Sequence, residues 1–78
     1  MHKYRITFNE CEHFGDLDHY CSDLTDLGYS PKEMNVNMNE ETGTVVIETT
    51  DDRSIFSSKL FTNTNLSDFL EEVIELNK

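Results

Sequence analysis

Met34-Asn35-Val36-Asn37-Met38-Asn39-Glu40-Glu41-Thr42-Gly43-Thr44-Val45-Val46-Ile47 is the stretch on which the fold turns. Met34, Val36 and Met38 alternate with Asn35, Asn37 and Asn39, and Val45 and Ile47 alternate with Thr44, Val46 and Glu48. A period of two is that of a strand with one buried face. Glu40-Glu41-Thr42-Gly43 between the runs reads as a four-residue hairpin loop built on a type I turn, with Gly43 where positive φ is needed. A loop over 40–43 sets Asn39 opposite Thr44, Met38 opposite Val45, Val36 opposite Ile47 and Met34 opposite Thr49. The register set by the turn is then the one set by the apolar pattern.

Upstream, Leu17, Tyr20, Cys21, Leu24 and Leu27 recur at helical spacing, with Asp18, Ser22, Asp23, Thr25 and Asp26 lying away from that stripe. Asp16 is the expected N-cap, and Gly28 suits the left-handed position that closes a helix. Ser30-Pro31 blocks continuation. Further back, Tyr4, Ile6 and Phe8 alternate with Lys3, Arg5 and Thr7 as a half-buried strand. Downstream, Asp51-Asp52 marks a turn into a third meander strand over about 53–62. Phe56, Ser58 and Leu60 would occupy one of its faces, and Ile55, Ser57, Lys59 and Phe61 the other. Ser57-Ser58 is the point at which that strand could break. The last element reads as a helix capped by Asn65, with the stripe Leu66, Phe69, Leu70, Val73 and Ile74. Asp68, Glu71, Glu72 and Glu75 would face water. The expected order is β-α-β-β-β-α: one α+β two-layer domain spanning residues 1–78, a mostly antiparallel sheet with two helices on one face.

The chain has 78 residues, 16 acidic and 6 basic, for a formal net charge of −10. It is too short for a second domain. The charge repels nucleic-acid backbones and anionic membrane surfaces, because phosphate affinity comes mainly from Lys and Arg. No run of roughly 18 apolar residues exists to span a bilayer. Met1-His2-Lys3-Tyr4-Arg5 lacks the apolar core of a signal peptide, so the expected compartment is the cytoplasm. Two cysteines in such a chain argue poorly for a disulfide.

The expected faces differ in charge. Asp16, Asp18, Asp23 and Asp26 on the first helix, with Asp68, Glu71, Glu72 and Glu75 on the last, would form acidic surfaces without interleaved lysines. Ordinary helices mix the signs, since i,i+4 Glu-Lys pairs stabilise them. The open sheet face would gather Lys3, Arg5, Arg53 and Lys59, four of the six basic residues, beside Val46, Ile55 and Phe61.

Chemistry-bearing motifs are sparse. Cys11-x-His13 and His19-x-Cys21 offer a ligand set that zinc accepts. On a helix, however, His19 and Cys21 lie about 200° apart, and Cys21 belongs to the apolar stripe. A zinc domain built from Cys11, His13, His19 and Cys21 therefore stands behind the reading of a core Cys21 with surface His13 and His19. Three glycines with turn roles leave no phosphate-cradling loop, and carboxylates on exposed faces lack a pocket to split their pKa values. No catalytic residue and no cofactor are expected.

The expected function is that of a non-enzymatic protein-binding module, a monomer or homodimer. Its partner would be a basic protein surface, such as that of a nucleic-acid-handling or defence complex, which the module inhibits or regulates. Small acidic phage-encoded anti-CRISPR and DNA-mimic proteins are the analogy. The alternative is a homo-oligomeric adaptor associating through a sheet face of Val46, Ile55, Phe61, Lys3 and Arg5.

Overall fold

The computed structural model describes residues 1–76. Its elements are β1 (His2–Phe8), α1 (Phe14–Asp26), β2 (Pro31–Asn37), β3 (Thr42–Thr49), α2 (Arg53–Phe61), α3 (Thr64–Phe69) and β4 (Leu70–Glu75). The strands form one sheet in the order β2-β3-β1-β4, every neighbouring pair antiparallel. The α+β class is therefore as expected. The element order is not, because the meander strand is a helix and the last helix ends in a strand. β1 and β2 both run against β3, so they are parallel to each other with β3 between them. With α1 as their connection, this is the split β-α-β arrangement of ferredoxin-like domains.

α1 forms where the stripe predicts it and buries Leu17, Tyr20, Cys21 and Leu24. Its N-cap is His13, not Asp16. Asp16 sits in the first turn and reaches back to accept a hydrogen bond from the Glu12 backbone N–H at 2.9 Å, where the dipole favours an anion. The other end closes as a Schellman motif. Gly28 takes φ +98°, its N–H bonds the Thr25 carbonyl at 2.9 Å, and the Tyr29 N–H bonds the Leu24 carbonyl at 3.1 Å.

The hairpin exists with a different register. Asn37 pairs with Thr42, Val36 with Gly43 and Asn35 with Thr44. The turn lies over 38–41, its positive φ is taken by Glu41, and the Asn37 side-chain oxygen accepts from the N–H groups of Asn39 and Glu40. Gly43 lies inside β3 for another reason: a Cβ there would stand 2.8 Å from Cys11 Sγ and 2.9 Å from Leu17 Cδ1. The displacement is an even number of residues, so near the turn each side chain keeps its expected face. Farther along, a bulge between Lys32 and Asn35, with Glu33 at φ +48°, resets the pairing.

Residues 53–75 depart most from expectation. Asp52 caps α2 by accepting from the Ile55 N–H at 2.9 Å, and Phe56 and Leu60, four apart, are buried. Asn63, not Asn65, caps the six-residue α3, accepting from the Leu66 N–H at 3.2 Å. The chain then extends as β4 and pairs with β1, setting Val73 opposite Ile6 and Leu70 opposite Phe8. The physical reason is the free edge of β1. As a strand, residues 70–75 bond to the β1 backbone and still lay Leu70 and Val73 on the core. Leu66, Phe69, Leu70 and Val73 reach the core as the stripe implies, but from a short helix and a strand, whereas Ile74, the fifth residue of the expected stripe, pairs with Arg5 on the open face.

The helices cover the face carrying Tyr4, Ile6, Phe8, Val45 and Ile47, and that interface is the core. Tyr4 stacks on Phe56 with ring centroids 4.4 Å apart, Tyr29 meets Phe56 edge-on, and Phe8 stacks on Tyr20 at 4.5 Å. Among the described residues no helix is long and apolar enough to cross a membrane.

Candidate functional site

Most of the basic side chains are held by the fold itself. Lys3 Nζ lies 3.9 Å from Glu33, Lys32 Nζ 3.5 Å from Glu48, and Lys59 Nζ 3.0 Å from Asp51. The Arg53 guanidinium donates to the Val73 carbonyl at 2.9 Å, joining α2 to β4. Asp51 is the most heavily used carboxylate, accepting from Tyr29 Oη at 2.7 Å and from Lys59, while its carbonyl accepts from Tyr4 Oη at 3.0 Å. The bond from Tyr29, then that from Lys59, holds its carboxyl below the ordinary carboxylate range. Asp51 thus pins α2 to the end of β3.

The remaining acids are largely uncompensated. On α1, Asp16, His19, Asp23 and Asp26 follow one another at intervals of three or four, so they form one row on the helix. The row is about 15 Å long at about 1.5 Å per residue. No Lys or Arg among the described residues pairs with Asp16, Asp23 or Asp26, and the last turn of α1 has no basic residue. Asp18 lies off this row on the other exposed flank. Between α1 and α3 the row borders a notch of about 270 Å3 floored by Tyr20 and Phe69.

The second expected acidic surface is dispersed. Asp68 lies on α3, Glu75 Oε2 sits 2.7 Å from His2 Nδ1 at the β1–β4 edge, and Glu71 and Glu72 belong to β4. Both Glu71 and Glu72 line a concavity of about 540 Å3 on the open sheet face. That face keeps Lys3, Arg5, Asn35, Asn37 and Val46 as expected, but it lacks Arg53, Lys59, Ile55 and Phe61, which α2 carries elsewhere. Ile55 and Phe61 are 47% and 64% exposed, while Val46 is only 5% exposed, flanked across the strands by Arg5 and Lys32. The expected apolar patch on a basic sheet face therefore does not form. Thr7, Thr42, Thr44, Glu33 and Glu40 line the face instead. For Thr7, Thr42 and Thr44 the alternation along β1 and β3 is the signal; Glu33 in the bulge and Glu40 in the turn carry none.

Cys11 and Cys21 are free thiols in the core. Burial pushes both up to about 11, with Asp16 adding to the effect on Cys11 and Asp18 to that on Cys21. Cys11 packs beneath Gly43, and Cys21 Sγ lies 3.2 Å from Met34 Sδ. His13 and His19 are exposed. The fold therefore keeps these four residues apart in environment, and no group of three or more His, Cys, Asp or Glu among the described residues is arranged to hold a metal.

No family model matches the chain, and neither a curated protein nor a solved structure matches it.

Proposed function

We propose that this protein is a non-enzymatic binding module that occupies a basic surface of a partner protein and so inhibits or regulates a nucleic-acid-handling complex. Small acidic anti-defence and DNA-mimic proteins of phages work in this manner. The carrying observation is the row Asp16–Asp23–Asp26 on α1, without a Lys or Arg partner among the described residues and running to the helix C-terminus. Like charges at this spacing repel, and an anion in the last turn opposes the helix dipole. A helix selected for stability alone would carry Lys there. A cationic partner reverses both penalties on contact and draws the module in by long-range attraction.

The test uses wild type and Asp23→Lys/Asp26→Lys as bait in a lysate, at low and high salt. The expected result is capture of basic nucleic-acid-handling proteins by wild type at low salt, with at least a tenfold loss in the variant. The variant helix should meanwhile gain about 0.5 kcal/mol in thermal or urea unfolding. Equal capture by both baits overturns the reading.

A further inference from the structure

Both edge strands of the sheet are bulged, and each bulge puts a glutamate on the rim of the open face. In β2 the ladder breaks between Lys32 and Asn35, and Glu33 takes a left-handed φ of +48° there. In β4, Thr7 pairs with Glu72 but Phe8 pairs with Leu70, leaving Glu71 as the extra residue. Bulges re-aim side chains and blunt an edge against strand addition. Glu33 and Glu40 stand on the β2 side of the concavity, and Glu71 and Glu72 on the β4 side. Glu33 also meets Lys3 at 3.9 Å, whereas Glu40, Glu71 and Glu72 have no ion pair among the described residues. Between the rims the floor mixes Asn35, Thr7, Thr44 and Arg5 with Val46, and Arg5 rises from β1 between Val46 and Ile74 on the neighbouring strands. Arg5 is exposed and makes no ion pair with any described residue.

We propose that this open face is a docking groove for a single segment of a partner protein, basic at both ends and carrying an acidic residue between them. The inference rests on the basic-partner reading above and adds a second surface to it. Outer strands of a four-stranded sheet lie about 14 Å apart at about 4.8 Å per step. An extended segment crosses that span in about four residues, so its basic residues must be separated by about that number. The glutamates of the two rims take the two basic ends, and Arg5 takes the central carboxylate as a charge-assisted pair. A second copy of the chain is a poor occupant, since it would bring glutamates against glutamates. A nucleic acid would bring phosphates to the same carboxylates.

The probe is the peptide acetyl-Arg-Arg-Thr-Glu-Thr-Arg-Arg-amide, titrated at low salt into 15N-labelled protein and followed by amide chemical shifts. The expected shifts fall on Thr7, Asn35, Thr44 and Glu72. Glu71→Gln/Glu72→Gln should weaken binding at least fivefold, as should Arg5→Gln or exchange of the peptide's Glu for Lys. Asp23→Asn/Asp26→Asn should leave these shifts unchanged. Shifts confined to α1 overturn the groove and leave the basic-partner reading standing, and so does equal binding by the Glu71→Gln/Glu72→Gln protein. No shift anywhere with either peptide overturns both.

Discussion

A methyl group on Gly43 would have to share space with Cys11 Sγ at 2.8 Å and Leu17 Cδ1 at 2.9 Å. Both neighbours are fully buried and belong to the core, so neither can swing into solvent. Gly43→Ala should therefore cost about 1–3 kcal/mol by overpacking. Cys11→Ala in the same background should recover part of it by removing the sulfur. Urea midpoints of the two single variants and the double variant check this, and an alanine variant as stable as wild type would contradict it. The sequence marks Gly43 as special but suggests the wrong cause, positive φ in a turn. The real cause, close approach, involves Cys11 and Leu17, which only the folded chain brings to Gly43. Gly28 is the opposite case: the local pattern of a helix ending is enough to identify its left-handed role.

At the scale of elements, α1, β1 and the existence of the β2–β3 hairpin were legible because one period dominated each. Residues 53–61 were not, because Arg53-Ser54-Ile55-Phe56-Ser57-Ser58-Lys59-Leu60-Phe61 has apolar residues that satisfy both a period of two and a spacing of four. What separates the readings is Asp52, whose carboxylate accepts from the Ile55 N–H and starts a helix. Asp52→Ala should cost about 1 kcal/mol, as the loss of an N-cap does, while Asp52→Asn should cost far less. Equilibrium unfolding of the two variants compares them, and equal losses would deny the cap its role. In sequence, residues 70–75 read as helix because Leu66, Phe69, Leu70 and Val73 fit a helical stripe. Their conversion to β4 depends on β1, more than sixty residues away in sequence, which no local window contains.

On the scale of the molecule, one core buries five weak acids, among them Tyr4, which burial also raises. Burial raises Cys11 and Cys21 to about 11 and Tyr20 to about 12, and it raises Tyr29 further with help from Asp51. Each is neutral in the folded state and ionises more easily once unfolded. The unfolded chain therefore loses protons first as pH rises, and stability falls. Stability from the thiols should be complete below pH 9, their ordinary value, and decline between pH 9 and 11. Urea midpoints at pH 8 and pH 10.5 should show that decline, and Cys21→Ala should show a smaller one. A midpoint that does not move would contradict the burial of these groups. The total charge is legible from composition, and the α1 acids from the helical spacing, except that Asp18 lies off the row the others form. The layout of the open face was not, since α2 removed Arg53, Lys59, Ile55 and Phe61 from it and β4 brought Glu71 and Glu72.

The position of β1 between β3 and β4 also bears on the order of folding. Tyr4 has Ile47 on one side and Glu75 on the other, so the sheet is completed by its most sequence-distant pairing, which closes the longest loop and forms slowly. Until β4 docks, β1 offers an unpaired backbone edge that the β4 of another copy could fill, the route to a swapped dimer. Ten net negative charges on each copy oppose that encounter. The same acidity thereby keeps half-folded copies apart while the last strand finds its place.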